Sequence, residues 1–217
     1  MRHQIGNAPE KIIANHEMKV KSVCSTCNSG WMSDLEGKVK PTVGCMVQDV
    51  SLTLDIEQQH DIAAWAAKIA AVVDSTVASI RGLYYSKDDR HQLRSASSIP
   101  SRTTVLLGRF SGSSLLATGT TLRGDLNGEN GVTTNCVTTV VVGHLAIQVF
   151  TIHPVPKYRD HPFSFTPKPG PWNSLLTQVW PTISSVNWPP PLTFTNGGPL
   201  SIARLQDRWR MGKRASV

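Results

Sequence analysis

The chain has 217 residues, 40% of them apolar, and a formal charge of +7. That length allows one sizeable domain, or a small module joined to a larger one. Four cysteines at this length exclude a disulfide-built scaffold, and the best apolar stretch, residues 62–80, is broken by Lys68 and Asp74 and falls short of a membrane span.

Met1 is followed by no apolar segment, so no secretory signal is expected, and the protein is expected to be cytoplasmic. Net positive charge favours polyanionic partners, DNA above all, because Lys and Arg release phosphate counterions on binding. The charge gathers towards the two ends. Lys19, Lys21, Lys38 and Lys40 surround the first two cysteines, and Arg208, Arg210, Lys213 and Arg214 crowd the C-terminus. These eight are the candidate nucleic-acid contacts, although a solvated surface has the same composition.

In chain order, residues 17–23 alternate apolar and polar side chains, which predicts a short strand entering the turn at Cys24 and Cys27. From about Ser29 the pattern becomes helical, with Met32, Leu35 and Val39 on one face. Ser33 and Glu36 have capping-box spacing, and Pro41 is expected to end this helix or open the next. The clearest helix covers about 57–79, where Ile62, Trp65, Ala66, Ile69, Val72, Val73 and Val77 form one apolar stripe. Residues 89–97 suit one more short helix.

After that the texture is β-branched. TTVLLGRF, SLLATGT, VTTNCVTTVVVG and HLAIQVFTI read as about four antiparallel strands over 103–152, separated by Gly, Ser and Asn. GDLNGENG is a turn cluster between two of them. Asp125, Asn127 and Glu129 alternate as in a calcium loop, but Cys136 stands where the bidentate Glu belongs. Residues 154–199 hold eleven prolines and are expected to form an irregular wrap, tacked down by Phe163, Phe165, Trp172, Trp180 and Trp188. Residues 200–214 suit a basic terminal helix. The fold class is therefore α+β, with a boundary near residue 48 between a small cysteine module and the rest.

Cys-x-x-Cys aims two thiols at one point, so Cys24 and Cys27 suit half of a zinc site, a redox pair, or a tight turn of purely structural value. A redox pair of the thioredoxin type lacks its βαβ context. Tetrahedral zinc needs two further ligands. His16 and His3 are nearby in sequence, His161 and Cys45 are candidates through folding, and two chains of a homodimer sharing one zinc is a further arrangement.

The segment KSVCSTCNSGWMSDLEGKVKP over residues 21–41, followed by IEQQHDIAAWAAKIAAVV, resembles HNH-endonuclease-like proteins of bacteria and phages. The resemblance is specific over 19–41, moderate over 59–73 and loose beyond. It implies a partial treble-clef or ββα-like cysteine turn and helix, with Cys24 and Cys27 as half of a structural zinc knuckle. By the same resemblance Asn28 is a ligand of a catalytic magnesium or manganese ion, and Trp31, Met32, Leu35 and Glu36 form the helix behind it. The family's general base is a histidine from an earlier segment, which also carries a first Cys-x-x-Cys. The 23 residues before Cys24 contain neither that pair nor Glu-His or Asp-His, which leaves His3, and after it His16, as candidate base. The chain is expected to start inside the nuclease module. Its expected function is nucleic-acid binding with an incomplete or assembly-dependent nuclease site. The alternative is a non-catalytic protein-binding or inhibitory module, phage-encoded in one version, that recognises another protein through its Pro- and Trp-rich segment.

Overall fold

A computed structural model describes residues 2–3, 11–12, 23–81, 83–95, 98–112, 116–126, 131–153 and 175–195. The expected strand at 17–23, apart from Val23, and the terminal helix at 200–214 lie outside them. The rest is α+β, as composition and patterning require: four helices and ten strands among the described residues.

The helical part begins with α1 (Ser25–Ser29), one turn long, and α2 (Trp31–Val47). Met32, Leu35 and Val39 are buried as their spacing predicts, and Met46 continues the face two turns further. Pro41 neither ends nor opens a helix. It lies inside α2, where it has no N–H to give the Gly37 carbonyl, and the buried face formed with Met46 carries the helix past that lost bond. The expected capping box also does not form. The helix starts two residues before Ser33 with Gly30 as its N-cap and no side-chain cap bond, while Glu36 turns to Lys68.

The long helix α3 (Ile56–Arg81) follows a short strand, β3 (Leu52–Leu54). Its burial differs from the expected single stripe. Ile62, Ala66 and Val73 are buried, but Trp65, Ile69 and Val72 are only half covered, and the deepest positions are Ala63, Ala64, Ala67 and Ala70. Packing against both α2 and the sheet explains this, since small side chains on two faces let neighbours approach from either side. Helix α4 (Lys87–Arg94) completes the layer.

The four expected strands are present as β4 (Thr103–Phe110), β5 (Leu116–Leu126), β6 (Gly131–Val142) and β7 (Leu145–His153). They pair antiparallel in the order β4-β7-β6-β5, with Val105 opposite Val149 and Val137 opposite Phe150. Asp125 pairs within β5 and faces Val132 across the ladder, so it belongs to a strand and not to an ion-binding loop. Residues 127–130 lie outside the described set. The first two strands, β1 (Arg2–His3) and β2 (Lys11–Ile12), pair with each other, and β1 lies against β5.

The Pro-rich segment is more regular than its composition predicts. Its described part holds β8 (Leu176–Trp180), β9 (Val186–Trp188) and β10 (Thr193–Phe194). The edge of β4 away from β7 is divided between two of them: β8 runs antiparallel to Val105–Gly108, and β10 runs parallel to Arg109–Phe110. β9 pairs with β3 instead, Leu52 opposite Trp188. Prolines are tolerated because they fall between these short pairings, where no ladder N–H is needed. Of the five aromatics expected to tack the segment down, Trp188 is buried in the main core and Trp180 packs against it. The other three lie outside the described residues.

One core cluster joins Leu35, Val39 and Met46 of α2 to the alanines of α3 and to Val105, Leu107, Leu145, Ile147 and Val149 on one sheet face. The opposite face carries Leu106, Phe110, Val141 and Ala146 with Leu176 and Phe194. Two glycines set close approaches. A Cβ on Gly108 would fall 2.6 Å from the Phe194 ring, so the bare backbone of β4 is what seats that ring. Gly143, in the β6–β7 turn, has φ +55° and would place a Cβ 2.6 Å from the Val47 carbonyl oxygen, the same oxygen that accepts the His144 N–H at 3.1 Å. Gly143→Ala therefore meets both a left-handed backbone and a backbone clash. It should lower stability by about 2 kcal/mol in urea unfolding; a loss under about 0.5 kcal/mol would mean the turn and α2 are free to separate.

Candidate functional site

The cysteine turn is built by its own hydrogen bonds. Cys24 N-caps α1, its Sγ accepting the Cys27 N–H at 3.2 Å, and its carbonyl accepts the Asn28 N–H at 3.0 Å. Cys24 is exposed and Cys27 half-buried. Interaction with the Cys27 side chain, the Cys27 amide and the charge of Arg94 hold Cys24 below the usual thiol value, while interaction with the Cys24 side chain raises Cys27. The Trp31 indole N–H is buried beside Cys27 with no acceptor at hydrogen-bonding geometry, and it steadies the sulfur only as a nearby dipole.

Both cysteines line a cavity of about 300 Å³ whose opposite wall is α4. Lys87, Arg90, His91 and Arg94 lie at i, i+3, i+4 and i+7 along that helix and all four face the cavity. Lys68 of α3 forms part of the floor. Lys87 and Arg94 are exposed and Arg90 is half-buried, so this side of the cavity is cationic and open to solvent.

α4 is held there by a buried polar network. Asp74, itself buried in α3, accepts the backbone N–H groups of Tyr84 at 2.7 Å and Tyr85 at 3.0 Å, which folds the chain back after α3. The Tyr84 hydroxyl donates to the Thr151 carbonyl at 2.8 Å, and the Tyr85 hydroxyl lies 3.0 Å from Thr151 Oγ1. Burial pushes both phenols far above their usual range, so they act as neutral hydrogen-bonding groups. Ser86 and Asp89 form the capping box of α4, and Arg90 donates to the Tyr85 carbonyl at 2.8 Å. Asp89 also faces His153, whose ring stacks on Tyr84 at 4.5 Å.

Asn28 is exposed and belongs to a second cavity of about 480 Å³, with Ser25, Glu36 and Ile69. The two cavities share Val23, Met32, Lys68 and Val72 as a dividing wall. Lys68 is 4% exposed, and its ammonium is paired with the Glu36 carboxylate. Glu36 and Lys68 stand 32 residues apart, one in each of the two segments that carry the sequence resemblance. The ion pair brings those segments together.

The expected site residues divide clearly. Cys24 and Cys27 converge, and Asn28 lies across the wall from their cavity. Lys38 and Lys40 are exposed on α2; Lys40 lines a groove with Trp65 and Ile69, away from the cysteines. His3 is in β1, beside β5. His16, Lys19, Lys21, Arg208, Arg210, Lys213 and Arg214 lie outside the described residues. The α4 stripe was missed because Asp88 and Asp89 interrupt it in sequence and dilute its charge. Helical spacing of 87, 90, 91 and 94, behind the Ser86 capping box, was the available signal.

Two thiols are half of what tetrahedral zinc takes, and among the described residues no group of three or more His, Cys, Asp or Glu side chains is placed to hold a metal. The rest of the cysteine cavity is mostly apolar side chains, which offer no ligand, and the cations of α4, which oppose a dication. On the far side, the Glu36 carboxylate beside Asn28 is already engaged by Lys68. The donors described here therefore do not fit zinc at the cysteines, nor magnesium or manganese at Asn28. Comparison with known proteins finds no family model, no curated protein and no solved structure that matches the chain. Among the described residues, no helix is long and apolar enough to cross a membrane.

Glu36→Ala would leave the Lys68 ammonium buried without its carboxylate. Because Glu36 is 59% exposed, the loss should be about 1–2 kcal/mol and not the larger value of a fully buried pair. Adding Lys68→Met should recover most of it in urea unfolding; no recovery would place the effect elsewhere in α2. For Asp89, partial burial works against the charge, but the hydrogen bonds from His153 and Ser86 outweigh it and hold the carboxyl below its ordinary 3.8. A depressed folded-state pKa stabilises above the unfolded value and is lost as pH falls through the folded one. The stability gap between the parent chain and Asp89→Asn should thus be full at pH 6 and shrink as pH falls below the ordinary carboxyl value; a gap that persists undiminished in strong acid would show that packing, not charge, is at work.

Proposed function

We propose that this chain is a nucleic-acid-binding protein of the HNH-endonuclease-like kind, with a hydrolytic centre that is incomplete in the single chain or completed by assembly. The observation that carries the reading is the α4 wall: Lys87, Arg90 and Arg94 turned to one side, opposite a cysteine turn of that family's type. A phosphodiester presents two non-bridging oxygens that share one negative charge. Guanidinium forks match them in pairs, and an exposed ammonium adds a point charge. Lys87 and Arg94 are exposed and free of carboxylate partners among the described ion pairs, whereas Lys68 is held by Glu36. The half-buried Arg90 is tied to the Tyr85 carbonyl and so presents a fixed charge. The formal charge of +7 supports the same partner class through long-range attraction.

The arrangement supports binding more strongly than hydrolysis. Among the described residues, the paired Glu36 is the one carboxylate in the Asn28 cavity, so catalysis would call for ligands from another segment or another chain. Cleavage that needs magnesium or manganese and disappears in Asn28→Ala would identify an assembled nuclease.

Binding is tested by fluorescence anisotropy of a labelled duplex across a range of salt. The logarithm of affinity should fall linearly with the logarithm of salt concentration. Lys87→Ala with Arg94→Ala should reduce that slope by about two and weaken binding alike for unrelated sequences. Affinity unchanged by the double substitution, or no binding at low salt, would overturn the proposal.

A further inference from the structure

We propose that Cys24 and Cys27 are a redox-active dithiol that exchanges with small anionic disulfides, of which glutathione disulfide is the accessible example. Three features of the turn carry this. First, one short turn holds the two cysteines together: Cys24 Sγ accepts the Cys27 N–H at 3.2 Å, and both side chains line the same cavity. Second, the pair is asymmetric. Cys24 is exposed, as an attacking sulfur must be, and Cys27 sits half-buried behind it as the resolving one. Third, their cavity is walled by Lys87, Arg90 and Arg94. A cationic wall repels a metal dication and attracts a carboxylate-bearing disulfide, and it stabilises negative charge on whichever sulfur leaves. Neither other cysteine has this setting: Cys136 is buried and Cys45 lies half-buried on α2.

The exchange balances without further reagents. The Cys24 thiolate attacks one sulfur of the disulfide; its S–S bond breaks, and one thiolate leaves and takes a proton from water. Cys27 then loses its proton to solvent and attacks Cys24 Sγ, and the mixed disulfide breaks and releases the second thiol. The protein dithiol is oxidised by two electrons to the Cys24–Cys27 disulfide, and one small disulfide is reduced to two thiols. The volume of about 300 Å³ admits part of such a tripeptide at the mouth, not the whole dimer buried.

This chemistry is independent of nucleic-acid binding, because its readout is on sulfur and Cys24→Ser keeps every cation. The experiment treats the full-length reduced chain with glutathione disulfide and follows the products by intact mass and peptide mapping. The expected result is a Cys24–Cys27 disulfide in the parent chain, a stable glutathione adduct on Cys24 in Cys27→Ser, and no adduct at residue 27 or 24 in Cys24→Ser. Arg94→Ala with Lys87→Ala should slow the reaction with glutathione disulfide by roughly three- to tenfold, and leave that with the neutral disulfide of 2-mercaptoethanol nearly unchanged. Equal rates for Cys24 and Cys45, or the same slowing for both disulfides, would overturn the proposal. So would thiols that react only after a chelator has stripped bound zinc, which would return the turn to a metal site.

Discussion

The Lys68–Glu36 ion pair is the constraint on which the helical layer depends. A lysine at 4% exposure in the middle of α3 is tolerable only with a partner, because an uncompensated ammonium in apolar surroundings carries a large desolvation penalty. Glu36 supplies that partner from α2, and it keeps one side in water, so the pair is not sealed off. Apolar contacts among Met32, Leu35 and the alanines of α3 hold the two helices together but do not by themselves set their register. A single buried charge does, since sliding α2 by one turn would bring Met32 or Lys40 to the place of Glu36 and leave Lys68 without its carboxylate.

That register has consequences on both sides of the pair. It puts the cysteine turn at the end of α2 level with the part of α3 from which α4 folds back, so that the turn and the α4 stripe meet. It also sends Asn28 to the other side of the Met32–Lys68 wall, away from the thiols. Asp74 does a related task one and a half turns further along α3: its carboxylate gathers two backbone N–H groups and so fixes where the next helix starts. Both buried charges of α3 position a wall of the same cavity. Neither faces the space where a ligand would sit as a free group.

Much of the scaffold was legible from the residues. The β-branched runs of 103–152 and the apolar period of α3 state their own structure, because strand and helix periods differ and the turn residues between them are unambiguous. What was not legible came from long-range partners. Pro41 sits inside α2 because Leu35, Val39 and Met46 are all buried against the same neighbours, which local propensity does not register. The Pro-rich stretch yields three strands because β3 and β4 offer free edges, and pairing is decided by the partner's edge as much as by the segment's own residues. The site was half legible: the cysteine pair announces itself, but its cationic wall is written as alternating signs that only a helix separates. The depth of Lys68 could not be read at all, since in sequence it marks the polar side of the helix.

The divided edge of β4 sets the order in which this molecule can become whole. Residues 105–110 wait for partners at 176–180 and 193–194, and β3 at 52–54 waits for 186–188. Even the start of α3 is anchored late, since the buried Gln59 amide donates to the Ser184 carbonyl at 2.8 Å. A chain emerging from the ribosome can therefore fold its helices and the four-stranded sheet of β4 to β7 early, yet it carries an exposed strand edge for some seventy residues of synthesis. During that interval the growing protein is exposed to pairing with other unfinished chains, and chaperone binding at that edge would protect it until residues 175–195 arrive.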